Sequence, residues 1–179
     1  EAPRESKQRT LAIEEAIFIQ SNNRLFGVVL WFMLLGPAGA WLFRVSDMLR
    51  RRAMFESGRA EQENGEKPHY LGATQQVHGV IAWLPARVLA LAFALAGSFE
   101  SAVSDWREYY QDCADNFFQV NDDVVACAGV GALGNTVGDT GDQGGVEIRG
   151  ARNAMRLVSR TLWVWLTAIA VLTIFGFAV

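Results

Sequence analysis

Apolar residues of this chain are gathered into three long stretches that polar sequence separates. The first stretch, residues 25–45, contains one charged residue, Arg44, close to its end. It reaches the ~20 residues that a hydrocarbon core of ~30 Å requires, so we predict a transmembrane helix over residues 24–46. Gly36 and Pro37 lie in its middle, and a proline removes one backbone hydrogen bond, which predicts a kink there. Residues 1–23 are predicted to form an amphipathic helix that leads into the membrane.

The last apolar stretch, residues 161–179, carries no charge and predicts a C-terminal transmembrane helix. A basic juxtamembrane segment, residues 149–160, contains four arginines, and no basic residue follows the stretch. Because basic flanks mark the cytoplasmic side of bacterial spans, we predict that this helix starts in the cytoplasm and ends in the periplasm.

The middle stretch, residues 78–97, is less typical of a span because Pro85 and Arg87 divide it. An arginine at the centre of a bilayer costs at least about 2.5–3.5 kcal/mol. A crossing here would also place the basic cluster at Arg50–Arg52 outside, against the charge rule. We therefore predict an embedded or re-entrant segment, broken at the proline, that does not cross.

The remaining sequence is predicted to be cytoplasmic. Residues 47–77 indicate a basic and polar loop, residues 98–127 an amphipathic helical region, and residues 128–148 a glycine-rich loop. The predicted fold class is therefore an all-α membrane protein. It is a helical bundle with two spanning helices, one proline-broken embedded segment and amphipathic cytoplasmic helices.

Composition and charge agree with membrane residence. Hydrophobic residues make up 51% of the chain and the formal net charge is -3, so no global field attracts nucleic acid. Cys113 and Cys127 lack the spacing of a metal site and are interpreted as reduced, buried thiols. The chain begins at Glu1 without a signal peptide, and we expect it to be part of a longer protein.

Candidate metal and phosphate sites are weak. Residues 129–134 match GxGxxG, but the acid that a dinucleotide site needs ~20 residues later is missing, which favours a loop. An acidic helical face could bind Mg²⁺ but is more typical of a solvated surface, so no metal is predicted. Its members are Asp105, Glu108, Asp112 and Asp115. We predict no catalytic residues and no cofactor.

An arginine inside an apolar segment is a functional candidate by default. Arg87 either holds an anionic ligand or pairs structurally with a carboxylate such as Glu15, and the sequence leaves both readings open. The candidate ligand-binding residues are Asn23, His78, Trp83, Pro85 and Arg87. For docking a partner, the candidates are Trp106, Tyr109 and Tyr110. The partners expected are membrane lipid and further membrane helices, either of other subunits or from an absent N-terminal part.

Several short motifs together resemble the AmpE family of inner-membrane proteins linked to β-lactamase induction. They are residues 26–29 (FGVV), 35–44 (LGPAGAWLFR), 83–87 (WLPAR), 89–97 (LALAFALAG) and 172–176 (LTIFG). The AmpE family is distantly related to the cobalamin-biosynthesis membrane synthases of the CbiB/CobD type.

The resemblance implies a non-enzymatic regulator or sensor of β-lactamase induction and cell-wall turnover. The synthase branch has the pattern E-x-x-x-E-N-x-x-D-G, where this chain has Phe18, Asn22 and Phe26 in place of the three acids. The paired acids before the synthases' W-x-P-x-R motif align with His78 and Gly79. Two alternatives stay open: a divergent synthase or ligase that binds phosphate or a nucleotide near Arg87, and an accessory subunit of a membrane complex.

Overall fold

The computed structural model describes residues 2–63, 68–101, 104, 107, 121–134 and 143–175. The regular structure within these residues is helical and contains no strand, which confirms the all-α prediction. The helices are α1 (Ala2–Ser21), α2 (Gly27–Gln62), α3 (Leu71–Ala96), α4 (Asn121–Leu133) and α5 (Gln143–Ile174). A π-helical turn, Asn22–Phe26, joins α1 to α2 without a break.

Three helical stretches are long and apolar enough to cross a membrane: Lys7–Gln62, Leu71–Ala96 and Ile148–Val171. The class of integral membrane protein is therefore confirmed. By length and hydropathy α3 could therefore also cross the membrane, although we predicted that residues 78–97 do not.

The kink predicted at Gly36 and Pro37 is present, but it reverses the chain instead of bending it. Gly36 has φ 68° and ψ −156°, outside the helical region. A Cβ added to Gly27 would lie 2.3 Å from Cζ of Phe43, although 16 residues of straight helix span ~24 Å. The predicted single transmembrane helix over residues 24–46, with a kink in its middle, is wrong in one respect: this stretch forms two antiparallel limbs of a helical hairpin.

Pro85 does not break α3, so the predicted division of residues 78–97 is also wrong. Proline at position 85 cannot donate to the carbonyl of Ile81, four residues earlier. Nε1 of Trp31 donates to that carbonyl instead, over 3.1 Å. A side chain of the hairpin thus satisfies the acceptor that the proline leaves, which is how helices at membrane depth tolerate proline.

The predicted polar loop over residues 47–77 is mostly helical, because α2 continues to Gln62 and α3 begins at Leu71. Ion pairs one turn apart, Arg52–Glu56 and Arg59–Glu63, favour this extension of α2. Tyr70 donates a hydrogen bond to Glu56, and this bond raises the pKa of Tyr70.

The predicted glycine-rich loop over residues 128–148 is wrong at both ends, since α4 runs to Leu133 and α5 begins at Gln143. Gly129 is helical because it packs against Phe18, whose ring lies 2.5 Å from a Cβ built at that glycine. Gly134, with φ 62°, ends α4 in the left-handed conformation that glycine adopts at helix ends. Of the predicted amphipathic region 98–127, residues 102–103, 105–106 and 108–120 lie outside the described residues.

Aromatic residues form the core where α1, α3 and α5 meet. The ring of Phe93 lies 5.1 Å from that of Phe18 and 6.4 Å from that of Phe26, and Trp165 lies 5.4 Å from Phe26. A Cβ added to Gly150 would meet Thr10 and Glu14 of α1. These contacts place α1 and α5 side by side and parallel, with residues 10–14 beside Gly150.

Candidate functional site

The reversal at Gly36 gathers a polar cluster from both ends of the hairpin, from α3 and from α4. Its members are Asn22, Asn23, Ser46, Asp47, Arg50, Arg51, His78, Asn121 and Asp122. Six of these polar side chains are 8% exposed or less, so their burial has to be compensated by hydrogen bonds. They are Asn22, Asn23, Ser46, Asp47, His78 and Asn121.

Asp122 joins the two limbs of the hairpin to α4. Its Oδ2 accepts a hydrogen bond from Nη1 of Arg50 over 2.8 Å, and its Oδ1 accepts one from Nδ2 of Asn23 over 3.3 Å. Asn23 lies before the reversal and Arg50 after it. One carboxylate on α4 therefore holds both ends of the hairpin together.

Asp47 is the second carboxylate of the cluster and is 1% exposed. Its two oxygens accept from Nε of Arg51 over 3.0 and 2.9 Å, and Oδ1 lies 3.7 Å from Nη2 of Arg50. Arg51 also donates to Oε1 of Gln20 over 3.4 Å. A nearly fully buried carboxylate is thus compensated by two arginines of its own helix.

The tautomer of His78 follows from its neighbour. Ser46 donates its single hydroxyl proton to the carbonyl of Phe43 over 2.8 Å, so its Oγ accepts from Nδ1 of His78, 3.1 Å away. In the neutral imidazole the proton is then on Nδ1, and Nε2 of His78 carries a lone pair. That Nε2 is buried and has no hydrogen-bond partner among the described residues.

Arg87 is linked to the cluster through Asn121. Nη1 of Arg87 donates to Oδ1 of Asn121 and, over 3.3 Å, to the carbonyl of Trp83. Asn121 donates in turn to the carbonyl of Gly79 over 2.7 Å. The guanidinium carbon lies 4.8 Å from the centre of the Trp83 ring, a cation–π distance. These contacts anchor α4 to α3.

A cavity of about 200 Å³ opens within the cluster. It is lined by Arg50, Met54, Gln75, His78, Gly79, Ala82, Asn121 and Asp122. Nε of Arg50, like Nε2 of His78, is buried without a hydrogen-bond partner in the described part of the chain. The cavity has both polar and apolar walls. Arg50 contributes a buried donor to its lining, and His78 contributes a buried acceptor.

The structure brings three of the five predicted ligand-binding residues into one network. His78 lines the cavity, Asn23 bonds to Asp122, and Arg87 bonds to Asn121. Trp83 lies against Arg87. Pro85 is buried in α3, and because it has no amide proton, the carbonyl of Ile81 accepts from Trp31 instead.

The predicted site residues did not include the following members of the cluster: Asn22, Asp47, Arg50, Asn121 and Asp122. A signal was present, because polar residues flank both ends of the first apolar stretch. The predicted docking residues Trp106, Tyr109 and Tyr110 lie outside the described residues, as does the acidic face of Asp105, Glu108, Asp112 and Asp115. Among residues that the structure describes, no group of three His, Cys, Asp or Glu side chains could hold a metal ion.

Comparison with known proteins gives one family and two relatives. Residues 3–179 match the family described as "Regulatory signalling modulator protein AmpE". A cobalamin biosynthesis protein CobD from Chromobacterium violaceum is 28% identical over 169 residues, covering 84% of this chain and 49% of that protein. The CobD of Stutzerimonas stutzeri is 27% identical over 127 residues, covering 71% of this chain and 38% of that protein.

The chain thus spans half or less of the length of these curated relatives. No solved structure matches it.

Proposed function

Since the chain belongs to the AmpE family, we propose that it is an inner-membrane regulatory protein that modulates β-lactamase induction and responds to cell-wall turnover. The observation that carries the proposal is the family match over residues 3–179. The protein acts without catalysing a reaction. When a ligand binds in the cavity of the polar cluster, the signal that the protein passes to the induction pathway changes.

The environment of the cluster supports a binding role over a catalytic one. Asp47 and Asp122 are both held by arginines, so neither carboxylate is free to take a proton from a substrate. Phe18 and Phe26 are 0% and 1% exposed and pack on Phe93, at positions where the resemblance to the synthases would require carboxylates. Apolar core thus occupies the place where acids would bind a metal.

The proposed topology has Gln20, α2 after the hairpin and the start of α5 on the cytoplasmic side, with the C-terminal end of α5 in the periplasm. The charge rule supports it, since basic residues lie beside the hairpin and before Thr161. In this arrangement the polar cluster lies towards the cytoplasm, where a regulator of gene expression has its downstream partners.

The test uses a Gram-negative bacterium that has an inducible β-lactamase and lacks its own AmpE-family gene. The full-length protein is supplied in trans, and β-lactamase activity is measured after exposure to a sub-inhibitory β-lactam. We expect wild-type protein to change induction and Asp122→Asn, at equal abundance in the membrane, to lose that effect. Glu56→Gln, which removes a surface carboxylate, is the matched control. If wild-type protein leaves induction unchanged, the regulatory role is wrong.

The second candidate function is that of a divergent CobD-like synthase, which the similarity to the two CobD proteins favours. The discriminating experiment places the same full-length protein in a strain that lacks its own CobD and depends on cobalamin for growth. Restored growth would support the synthase and contradict the non-enzymatic role. Growth that is not restored, together with altered induction, is the outcome that we expect.

A further inference from the structure

Four arginines form one stripe along the outer surface of α5. They follow one another at intervals of three, four and four residues: Arg149, Arg152, Arg156 and Arg160. At 100° per residue they lie within an arc of about 80°. All four are exposed, whereas Gly150, Ala154, Leu157 and Thr161 are buried on the opposite side of the same turns. We call these four residues the arginine stripe.

The arginine stripe differs from two exposed arginines of α2, Arg52 and Arg59, in that no described carboxylate forms an ion pair with it. Arg52 and Arg59 are 76% and 69% exposed, and each pairs over 2.9 Å with a glutamate one turn later, Glu56 or Glu63. In contrast, residues 148–162 contain no acidic residue, and no described carboxylate forms an ion pair with the stripe. Among the described residues, Arg52 and Arg59 are thus paired with carboxylates and the arginine stripe is not.

Directly beyond the stripe the surface of α5 becomes apolar. Trp163 is 68% exposed and continues the line of the stripe by one turn, and Leu166 and Val171 are 47% and 46% exposed. Exposed apolar residues on a helix that can cross a membrane face lipid tails, and tryptophan prefers the level of the headgroups. The change from Arg160 to Trp163 therefore marks the height at which α5 leaves water.

We propose that the arginine stripe, together with Trp163, binds the headgroups of anionic phospholipids. Arginines immediately before a transmembrane helix meet the phosphates of that leaflet, and a guanidinium binds a phosphate with two parallel hydrogen bonds. Because the stripe has no carboxylate partner in the described chain, the lipid supplies the counter-charge. The proposal requires only that α5 lies in a membrane, so it stands independently of the regulatory function.

The experiment measures lipid binding to the full chain, purified in a neutral detergent, by native mass spectrometry. Phosphatidylglycerol, which is anionic, and phosphatidylcholine, which is zwitterionic, are titrated separately, and the ratio of their affinities is the readout. The test variant is Arg152→Gln with Arg156→Gln. The control is Arg52→Gln with Arg59→Gln, which removes the same charge from paired positions. All substituted residues are exposed, so both variants are expected to fold.

We expect phosphatidylglycerol to bind the wild-type chain more tightly than phosphatidylcholine does. The stripe variant should reduce this preference about fivefold for each arginine, or about twenty-fivefold in total. The control should keep the preference. An unchanged preference in the stripe variant overturns the proposal. An equal loss in both variants also overturns it, because net charge and not the stripe would then attract the lipid.

Discussion

Arg51 donates a hydrogen bond to Gln20 over 3.4 Å, although 31 positions separate them and an apolar stretch lies between. A straight helix would hold these residues ~46 Å apart. The contact exists because the chain reverses at Gly36, and the same reversal places Asn23 and Arg50 on one carboxylate, Asp122. The polar cluster therefore depends on the hairpin, so an experiment that tests the hairpin also tests the cluster.

Replacing Gly36 should destabilise the hairpin. Its φ of 68° with ψ of −156° lies in a region that only glycine occupies readily, and a side chain there costs about 1–3 kcal/mol. No atom lies within 4 Å of a Cβ at this position, so Gly36→Ala tests backbone strain and not crowding. The measurement is reversible unfolding in mixed micelles. Gly58→Ala, at an open helical position of α2, should be neutral or stabilising. Equal effects of the two changes would contradict the hairpin.

Both ends of the hairpin should be labelled from the same side of the membrane. Gln20 and Arg59 are exposed and lie before and after the reversal. Single cysteines at these positions, in a chain with Cys113 and Cys127 replaced by serine, are treated with a membrane-impermeant maleimide before and after the cells are opened. We expect both to react only in opened cells. Ser159 of α5 should behave likewise, because α1 and α5 run parallel. Reaction of Gln20 and Arg59 from opposite sides would mean that residues 25–45 cross the bilayer.

Removing the charge of Asp122 should loosen the cluster. Asp122→Asn weakens the hydrogen bond from Arg50 and leaves the positive charge of Arg50 with less counter-charge. The substitution should therefore lower the free energy of unfolding by about 1.5–3 kcal/mol. The control is Glu56→Gln, whose ion pair with Arg52 lies on the surface and should contribute little. Unfolding in mixed micelles measures both variants. A stability of Asp122→Asn equal to that of the wild type would show that Arg50 does not depend on this carboxylate.

Enlarging Gly97 should separate α3 from α4. A Cβ at this position would lie 2.4 Å from the carbonyl oxygen of Ala132, which also accepts a hydrogen bond from the Ser98 amide over 2.9 Å. Since the obstacle is backbone, it cannot rotate away, and Gly97→Ala should cost about 1–3 kcal/mol. Gly72→Ala, at an open position near the start of α3, is the comparison and should not destabilise. Proteolysis rates of the folded protein provide an independent readout of α4 release.

The sequence predicted the apolar helices and the position of the kink, because apolar length and proline act locally. It did not predict the reversal, since a single pair of backbone angles at Gly36 decides between a bend and a hairpin. A clue was present in Gly39, which is small enough to approach the carbonyl of Trp31.

The site was predicted only in part for the same reason. His78, Asn23 and Arg87 are unusual within or beside apolar sequence, so each could be recognised by itself. Arg50 and Asp122 look like ordinary surface charges in the sequence, and they become one ion pair only after the hairpin and α4 come together. Similarly, the tolerance of α3 for Pro85 depends on Trp31, a residue far away in the sequence.

The depth of the hairpin has a mechanical consequence. From residue 25 to the reversal at Gly36 a limb rises ~16 Å, about half of a ~30 Å hydrocarbon core. We expect such an insertion to displace lipid from one leaflet and leave the other filled, which gives the protein the shape of a wedge. A wedge responds to membrane curvature and lateral tension. Stretching of that leaflet would therefore exert force on the tip at Gly36, and the two limbs would transmit this force to the hydrogen bonds of Asp122.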